Sequence, residues 1–252
     1  MKSTLKVRNH ISLLVLFTFF FGVSSFGQDD DTKDRKWKIG INISPEIAYR
    51  TLTTSDPSSE SFIEYRDEIE SSIFTLSGGL NIEYNITKRF AMRSGIQYLT
   101  QGEQYDFEIV GWPIPNPSFP SKFIVVQRYH YVGVPLIASF DFIQTDKVEV
   151  FLSAGALGTW MYRTSTKTTR EYIDGTTETE REHSDPSVSE WTEYQLFNVT
   201  ALISLGSDIK LGSRSFIRLE PTFKYTILPI VDGPIQERHF NVGLNIGYFI
   251  KL

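Results

Sequence analysis

The stretch from Phe240 to Leu252 constrains this chain most. Phe240, Val242, Leu244, Ile246, Tyr248, Ile250 and Leu252 share one parity, and Asn241, Gly243, Asn245 and Gly247 share the other. A period of two belongs to a strand, not a helix. The same alternation recurs upstream. Trp37, Ile39, Ile41, Ile43 and Ile47 oppose Lys38, Gly40, Asn42, Ser44 and Glu46; Phe74, Leu76, Leu80, Ile82 and Tyr84 oppose Thr75, Ser77, Gly79, Asn81 and Glu83. An apolar strand near the carboxyl end suits the closing strand of a barrel, where it pairs with the first and leaves no free edge.

Eight strands follow from this pattern, at about 37–49, 73–86, 90–107, 123–142, 148–162, 194–211, 215–228 and 240–252. Their connections run long, short, long, short, long, short, moderately long. The segments Thr87–Arg89, Gln144–Lys147 and Gly212–Arg214 are tight turns. The polar segment 50–72, the proline-bearing 111–120 and the Thr-rich 163–193 are long. Asp174-Gly175 marks a hairpin turn in the last of these, so its flanking strands are expected to continue upward. Short turns on one side and long loops on the other are the pattern of an eight-stranded antiparallel up-and-down transmembrane β-barrel, with the turns periplasmic and the loops extracellular.

Alternation alone leaves open which face is inside, because a soluble lipocalin-like barrel would bury the apolar side. The polar face decides. It is rich in Gly, Asn and Ser, which are poor choices for a water-facing strand but fit the crowded bore of a narrow barrel. The other face carries almost no charge, as lipid requires. Aromatic residues near the turn ends (Trp37, Tyr84, Phe90, Phe142, Phe216, Tyr248) and toward the loop ends (Tyr49, Tyr98, Trp160, Tyr162, Phe197, Tyr225) read as two interfacial belts. Pro45, Pro135 and Pro221 fall inside strands. Bulges or missing ladder bonds are expected there, and all three are assigned to the inner face.

Residues 1–27 read as a signal peptide: Lys2, Lys6 and Arg8, then an apolar run from Ile11 to Phe21, then small residues to Gly27. Residues 28–36 read as a periplasmic lead-in and 37–252 as the barrel. Removing the first segment removes three cations and no acid, taking the formal net charge from -5 to about -8. That balance excludes a nucleic-acid footprint. With no cysteine, disulfides, thiolate metal sites and a lipidated cysteine are excluded as well.

The inward parity carries Glu46, Glu83, Arg93, Asp141, Glu149, Asp208, Lys210, Arg218, Glu220 and Lys224. Ions inside a narrow tube must pair or stay wet. The candidate site is therefore a lumen charge network in which Arg93, Arg218 and Lys224 face Glu46, Glu83 and Glu220, read as an electrostatic plug. A narrow polar pore is the alternative.

The segment Tyr131 to Ala138, Tyr-Val-Gly-Val-Pro-Leu-Ile-Ala, is similar to the Tyr-Leu-Glu-Ile-Pro-Leu-Leu segment of the outer-membrane β-barrel domain family of Bacteroidetes, the PorT-like proteins. Phe151 to Ala156 and the Gly-rich closing strand also resemble that family. Gly133 stands where the family usually has Glu, and Leu252 where a terminal Phe is common. The resemblance implies an outer-membrane barrel; one branch of the family is tied to type IX secretion.

Outer-membrane hydrolases and acyltransferases need a His near Ser or Asp at the loop-side rim. His183 lies in a charged loop, His130 has the interface parity of Val132 and Val134, and His239 opens the final strand. These three have no metal-ligand spacing. Loop acids including Asp67, Glu68, Glu70, Glu178, Glu180, Glu182 and Asp185 follow no Ca2+-loop spacing and read as a face repelling anionic lipopolysaccharide. No nucleotide or cofactor fingerprint appears in context, and no metal is expected. The expectation is a non-enzymatic outer-membrane barrel of a Gram-negative bacterium. It meets lipid and lipopolysaccharide and either presents its loops to an envelope protein partner or serves in a larger envelope or secretion complex. The alternative is a narrow channel for small or lipophilic solutes.

Overall fold

A computed structural model describes residues 36–108, 119–188, 193–231 and 233–252. The segment 1–27 read as a signal peptide, all of the segment 28–36 read as a lead-in but Lys36, and Pro113, Pro115 and Pro117 of the proline-bearing loop lie outside the described residues. The described chain forms ten antiparallel strands: β1 (Trp37–Thr54), β2 (Glu70–Ser71), β3 (Ile73–Asn85), β4 (Phe90–Glu108), β5 (Pro120–Gln144), β6 (Val148–Tyr172), β7 (Thr177–Ser184), β8 (Phe197–Lys210), β9 (Ser215–Thr226) and β10 (Ile235–Lys251). Eight of them close a ring in sequence order. β1 pairs with β3, β3 with β4, β4 with β5, β5 with β6, β6 with β8, β8 with β9, β9 with β10, and β10 returns to β1 from Lys38↔Lys251 to Thr54↔Ile235.

The alternation sorts as lipid requires. Ile39, Ile41, Ile43, Phe74, Leu80, Ile96, Leu152, Ile203 and Val242 point outward and exposed, while Lys38, Ser44, Glu46, Ser77, Glu83, Ser204 and Asn241 are buried inside. An apolar exterior around a polar interior is the inverse of a soluble barrel.

The three prolines each meet an interrupted ladder. Pairing skips from Ile43↔Ile246 to Glu46↔Gly243 beside Pro45, from Ser94↔Leu136 to Gln97↔Gly133 beside Pro135, and from Ser204↔Thr222 to Ser207↔Leu219 beside Pro221. A residue without an N–H cannot donate on that side. The inner-face assignment holds only for Pro135. Pro45 shares the outward parity of Ile43 and Ile47, and Pro221 that of Leu219 and Phe223, so both rings face lipid. Phe216 also departs from its expected belt position. It is buried inside and stacks on Phe249 with centroids 5.3 Å apart.

The loop side holds more structure than expected. β1 continues to Thr54. The connection after it carries a 3-10 turn (Pro57–Ser59), started by the Asp56 side chain accepting from Ser58 N, and then helix α1 (Glu60–Ile69). No residue of α1 is buried, so its apolar periodicity is too weak to read as a helix. β5 and β6 are 25 residues each, well over twice the roughly 9–11 that a tilted membrane strand needs. They carry the sheet beyond the barrel, where β6 turns at Asp174-Gly175 and returns as β7. β7 does not run on into the barrel; β8 takes its place beside β6 only from Phe197↔Trp160.

Candidate functional site

The inward side chains sort into layers along the bore. Nearest the short turns, Lys38 Nζ lies 2.7 Å from Glu83 Oε1 and Arg218 Nη1 2.6 Å from Glu83 Oε2. Arg218 also grips Asp208 with Nε and Nη2, each at 2.7 Å. Its guanidinium is held between the rings of Phe151 and Phe249, 4.6 and 4.5 Å from their centroids, a cation–π sandwich in a water-poor site. Glycine makes room for these rings: a Cβ on Gly206 would lie 2.2 Å from Phe151, and one on Gly40 2.4 Å from Phe249.

In the middle layer Arg93 pairs with Glu220 through two parallel bonds of 2.9 and 2.7 Å. Ser204 Oγ and Asn245 Nδ2 also donate to that carboxylate, at 2.6 and 2.8 Å. Asn42, Asn81, Gln97 and Asn245 join by their amides beside it. Above them, Lys224 Nζ lies 2.5 Å from Glu46 Oε1, while Ser77 and Asn241 donate to Glu46 Oε2. The structure thus brings the six expected network residues together as three pairs, and adds Lys38 and Asp208. Four cations meet four carboxylates, each with charge-assisted partners. The cavity left among Asn42, Arg93, Gln97, Glu220 and Lys224 is about 30 Å³, room for about two waters. Glu149 and Lys210, also of inward parity, form a partly buried pair at 2.9 Å near the turn side.

Toward the loops the lining turns apolar. Leu99, Tyr129, Tyr131, Met161 and Ile230 pack together, with Tyr194 and Val231 against them. Two connections fold in to make this stopper. Gln195 N donates to Ile230 O at 2.7 Å, Met161 N to Leu196 O at 2.7 Å, and Ile230 N to Glu237 O at 2.9 Å. The sequence reading starts a strand at about Tyr194, but β8 begins only at Phe197 and Tyr194 makes an isolated bridge to Val231 instead, an inward fold that period two does not encode.

Next to the stopper sits a second ionic cluster. Arg50 bonds Glu70 and Asp67, each at 2.5 Å. Arg66 of α1 bonds Glu70 and, at 2.9 Å, Glu237 Oε2. His239 Nε2 lies 2.5 Å from Glu103 Oε2 and 3.5 Å from Glu237 Oε1. Tyr105 donates to Glu103 Oε1 at 2.9 Å. Sequence reading places Asp67 and Glu70 in a solvated loop and leaves His239 bland; Glu103 and Glu237 raise no signal, because their partners come from distant strands. His130, read as interface-facing, bonds Tyr98 Oη at 2.7 Å and Ser165 Oγ at 2.9 Å on the outward side of β5. His183 lies on the fully exposed β7.

Residues 26–247 match the family described as outer membrane protein beta-barrel domain. The chain belongs to that family. An outer-membrane location follows, and with it the outward apolar face has lipid as its solvent. No curated protein matches this chain. Among solved structures, it is similar to Neisserial surface protein A (13% identity, 86% of this chain and 97% of that chain, TM-score 0.40). It is also similar to the outer membrane protein OprG from Pseudomonas aeruginosa (12% identity, 89% and 99%, TM-score 0.42) and to the outer membrane protease OmpT from Escherichia coli (6% identity, 89% and 99%, TM-score 0.42).

Proposed function

We propose that this barrel is a non-enzymatic scaffold that holds its loop-side sheet out from the membrane for a protein partner in the envelope. In this reading residues 1–27 direct export in a Gram-negative cell. The lumen network of Glu46, Glu83, Arg93, Arg218, Glu220 and Lys224 serves as a plug. The surrounding contacts are lipid and lipopolysaccharide. The resemblance of Tyr131–Ala138 to PorT-like proteins supports a place in a larger envelope assembly.

The observation that carries the reading is the projecting β6–β7 hairpin on a closed base. β7 is exposed along its whole length, Thr177–Ser184, and the bore below it is filled by paired charges and an apolar stopper. Conduction needs a continuous polar path, and an eight-strand barrel filled by its own side chains lacks one.

The test is excision of Lys167–Arg181. Thr166 and Glu182 are cross-strand partners, so an Asn-Gly turn between them restores a tight hairpin. Envelope fractions carrying intact or trimmed protein are cross-linked and purified. A partner retained by the intact hairpin and lost on trimming supports the reading; identical partners in both remove it. Discrete single-channel conductance of the intact protein in planar bilayers would instead favour the narrow channel.

A further inference from the structure

We propose that Glu103, Glu237 and His239 form a binding site for a divalent first-row transition cation, with Zn2+ as the representative, at the loop-side end of the bore. The proposal does not depend on the partner reading above. One donor atom from each residue, Glu103 Oε2, Glu237 Oε1 and His239 Nε2, converges within 4.8 Å of the others.

Three separate observations point to a cation there. First, the donors are prepared. Each carboxylate has one oxygen fixed from behind, Glu103 Oε1 by Tyr105 and Glu237 Oε2 by Arg66, which leaves the other oxygen facing the imidazole. Outer bonds of this kind orient metal ligands. Second, a buried atom is left over. Glu237 Oε1 has no hydrogen-bond partner among the described residues, although its side chain is nine-tenths buried. An unmet carboxylate oxygen in such a place is costly. Third, the charges do not balance. Glu70 and Glu237, with the half-exposed Asp67, meet the guanidiniums of Arg50 and Arg66, while Glu103 pairs only with His239 among the described residues. The layers deeper in the bore pair four cations with four carboxylates; this one has room for positive charge.

The donor set selects the ion. An imidazole nitrogen with two carboxylates suits a borderline cation such as Zn2+ over Mg2+ or Ca2+, which prefer oxygen alone. Tetrahedral zinc at roughly 2.0–2.2 Å from each donor puts ligand atoms about 3.3–3.5 Å apart. Glu237 Oε1 and His239 Nε2 already have that spacing. Glu103 Oε2 must retreat from His239 by less than about 1 Å. Nε2 must then give up its hydrogen bond to Glu103, any proton it carries moving to Nδ1, which is buried with no other partner among the described residues, or to solvent. A fourth position remains for water.

The test uses the full barrel purified in detergent and stripped with a chelator, then titrated calorimetrically with Zn2+, and with Co2+ as a coloured stand-in. One ion per chain is expected, with a visible Co2+ band reporting nitrogen–oxygen ligation. Glu237→Gln and His239→Gln should each weaken uptake more than about tenfold, and His239→Gln should abolish the band. Glu180→Gln on the exposed hairpin should change neither. If His239→Gln does not fold, Glu237→Gln alone decides, because it keeps the shape of the side chain and its contact with Arg66. No stoichiometric uptake, or uptake unchanged in Glu237→Gln, overturns the site.

Discussion

Arg93 and Glu220 stand 127 positions apart in the chain and meet in the centre of the bore through two parallel hydrogen bonds. Both are almost wholly buried. Such a pair is a weak source of net stability but an expensive one to break, because either partner alone is left charged and dry. Arg93→Met is therefore expected to destabilise the barrel by about 3–5 kcal/mol, and Arg93→Met with Glu220→Met by much less. Urea unfolding in lipid or detergent checks both. A single variant as stable as the double would show that the charges are wet.

Glycine on the inner face is needed here for space. Gly206→Ala should force Phe151 from its place against Arg218 and cost about 1–3 kcal/mol. Gly158→Ala makes a control, since a Cβ there meets Phe197 at an ordinary 3.8 Å and should change stability by under about 0.5 kcal/mol. Equal unfolding midpoints for the two variants would count against the layered packing.

The outward face has a sharper requirement. Leu80 lies midway along β3 and points to lipid. Leu80→Arg should cost about 2–4 kcal/mol in bilayers, with little effect on backbone pairing. Folding titrations into lipid vesicles measure it; a negligible cost would mean that this face does not meet hydrocarbon.

The hairpin turn should respond to acid by itself. Asp174 accepts from Thr176 Oγ1 and from Thr176 N, and these bonds hold its carboxyl below the ordinary aspartate value. A depressed folded pKa means the turn's extra order is present above the ordinary value and is lost as pH falls through the depressed one. Nuclear magnetic resonance of the Thr176 amide should show the turn loosening below about pH 4, while barrel amides stay protected. An Asp174→Ala variant should lack that step; a step that persists in it would assign the titration elsewhere.

The outline of the molecule is legible in the chain itself. Alternation at positions such as Ile39/Gly40 and Asn241/Val242 settles which side chains go out and which go in, because a strand reverses direction at every residue. The spacing of turns such as Gly212–Arg214 then sets eight strands in up-and-down order. Parity has limits even so. Phe151, Phe216 and Phe249 are buried inside, where a reading from the Gly-, Asn- and Ser-rich face does not place them and assigns Phe216 to a belt. The projecting hairpin was announced by Asp174-Gly175, whereas α1, with no buried face, left no periodic trace.

What the tertiary structure decided is who meets whom. Glu103 and His239 lie 136 positions apart, and Lys224 and Glu46 lie 178 apart. Period two records a residue's side of the sheet but not its height or angle around the closed tube. Those depend on strand tilt and on the stagger accumulated around the ring, which only barrel closure sets. For the same reason the apolar stopper and the carboxylate–histidine cluster beside it became visible only once the strands had closed.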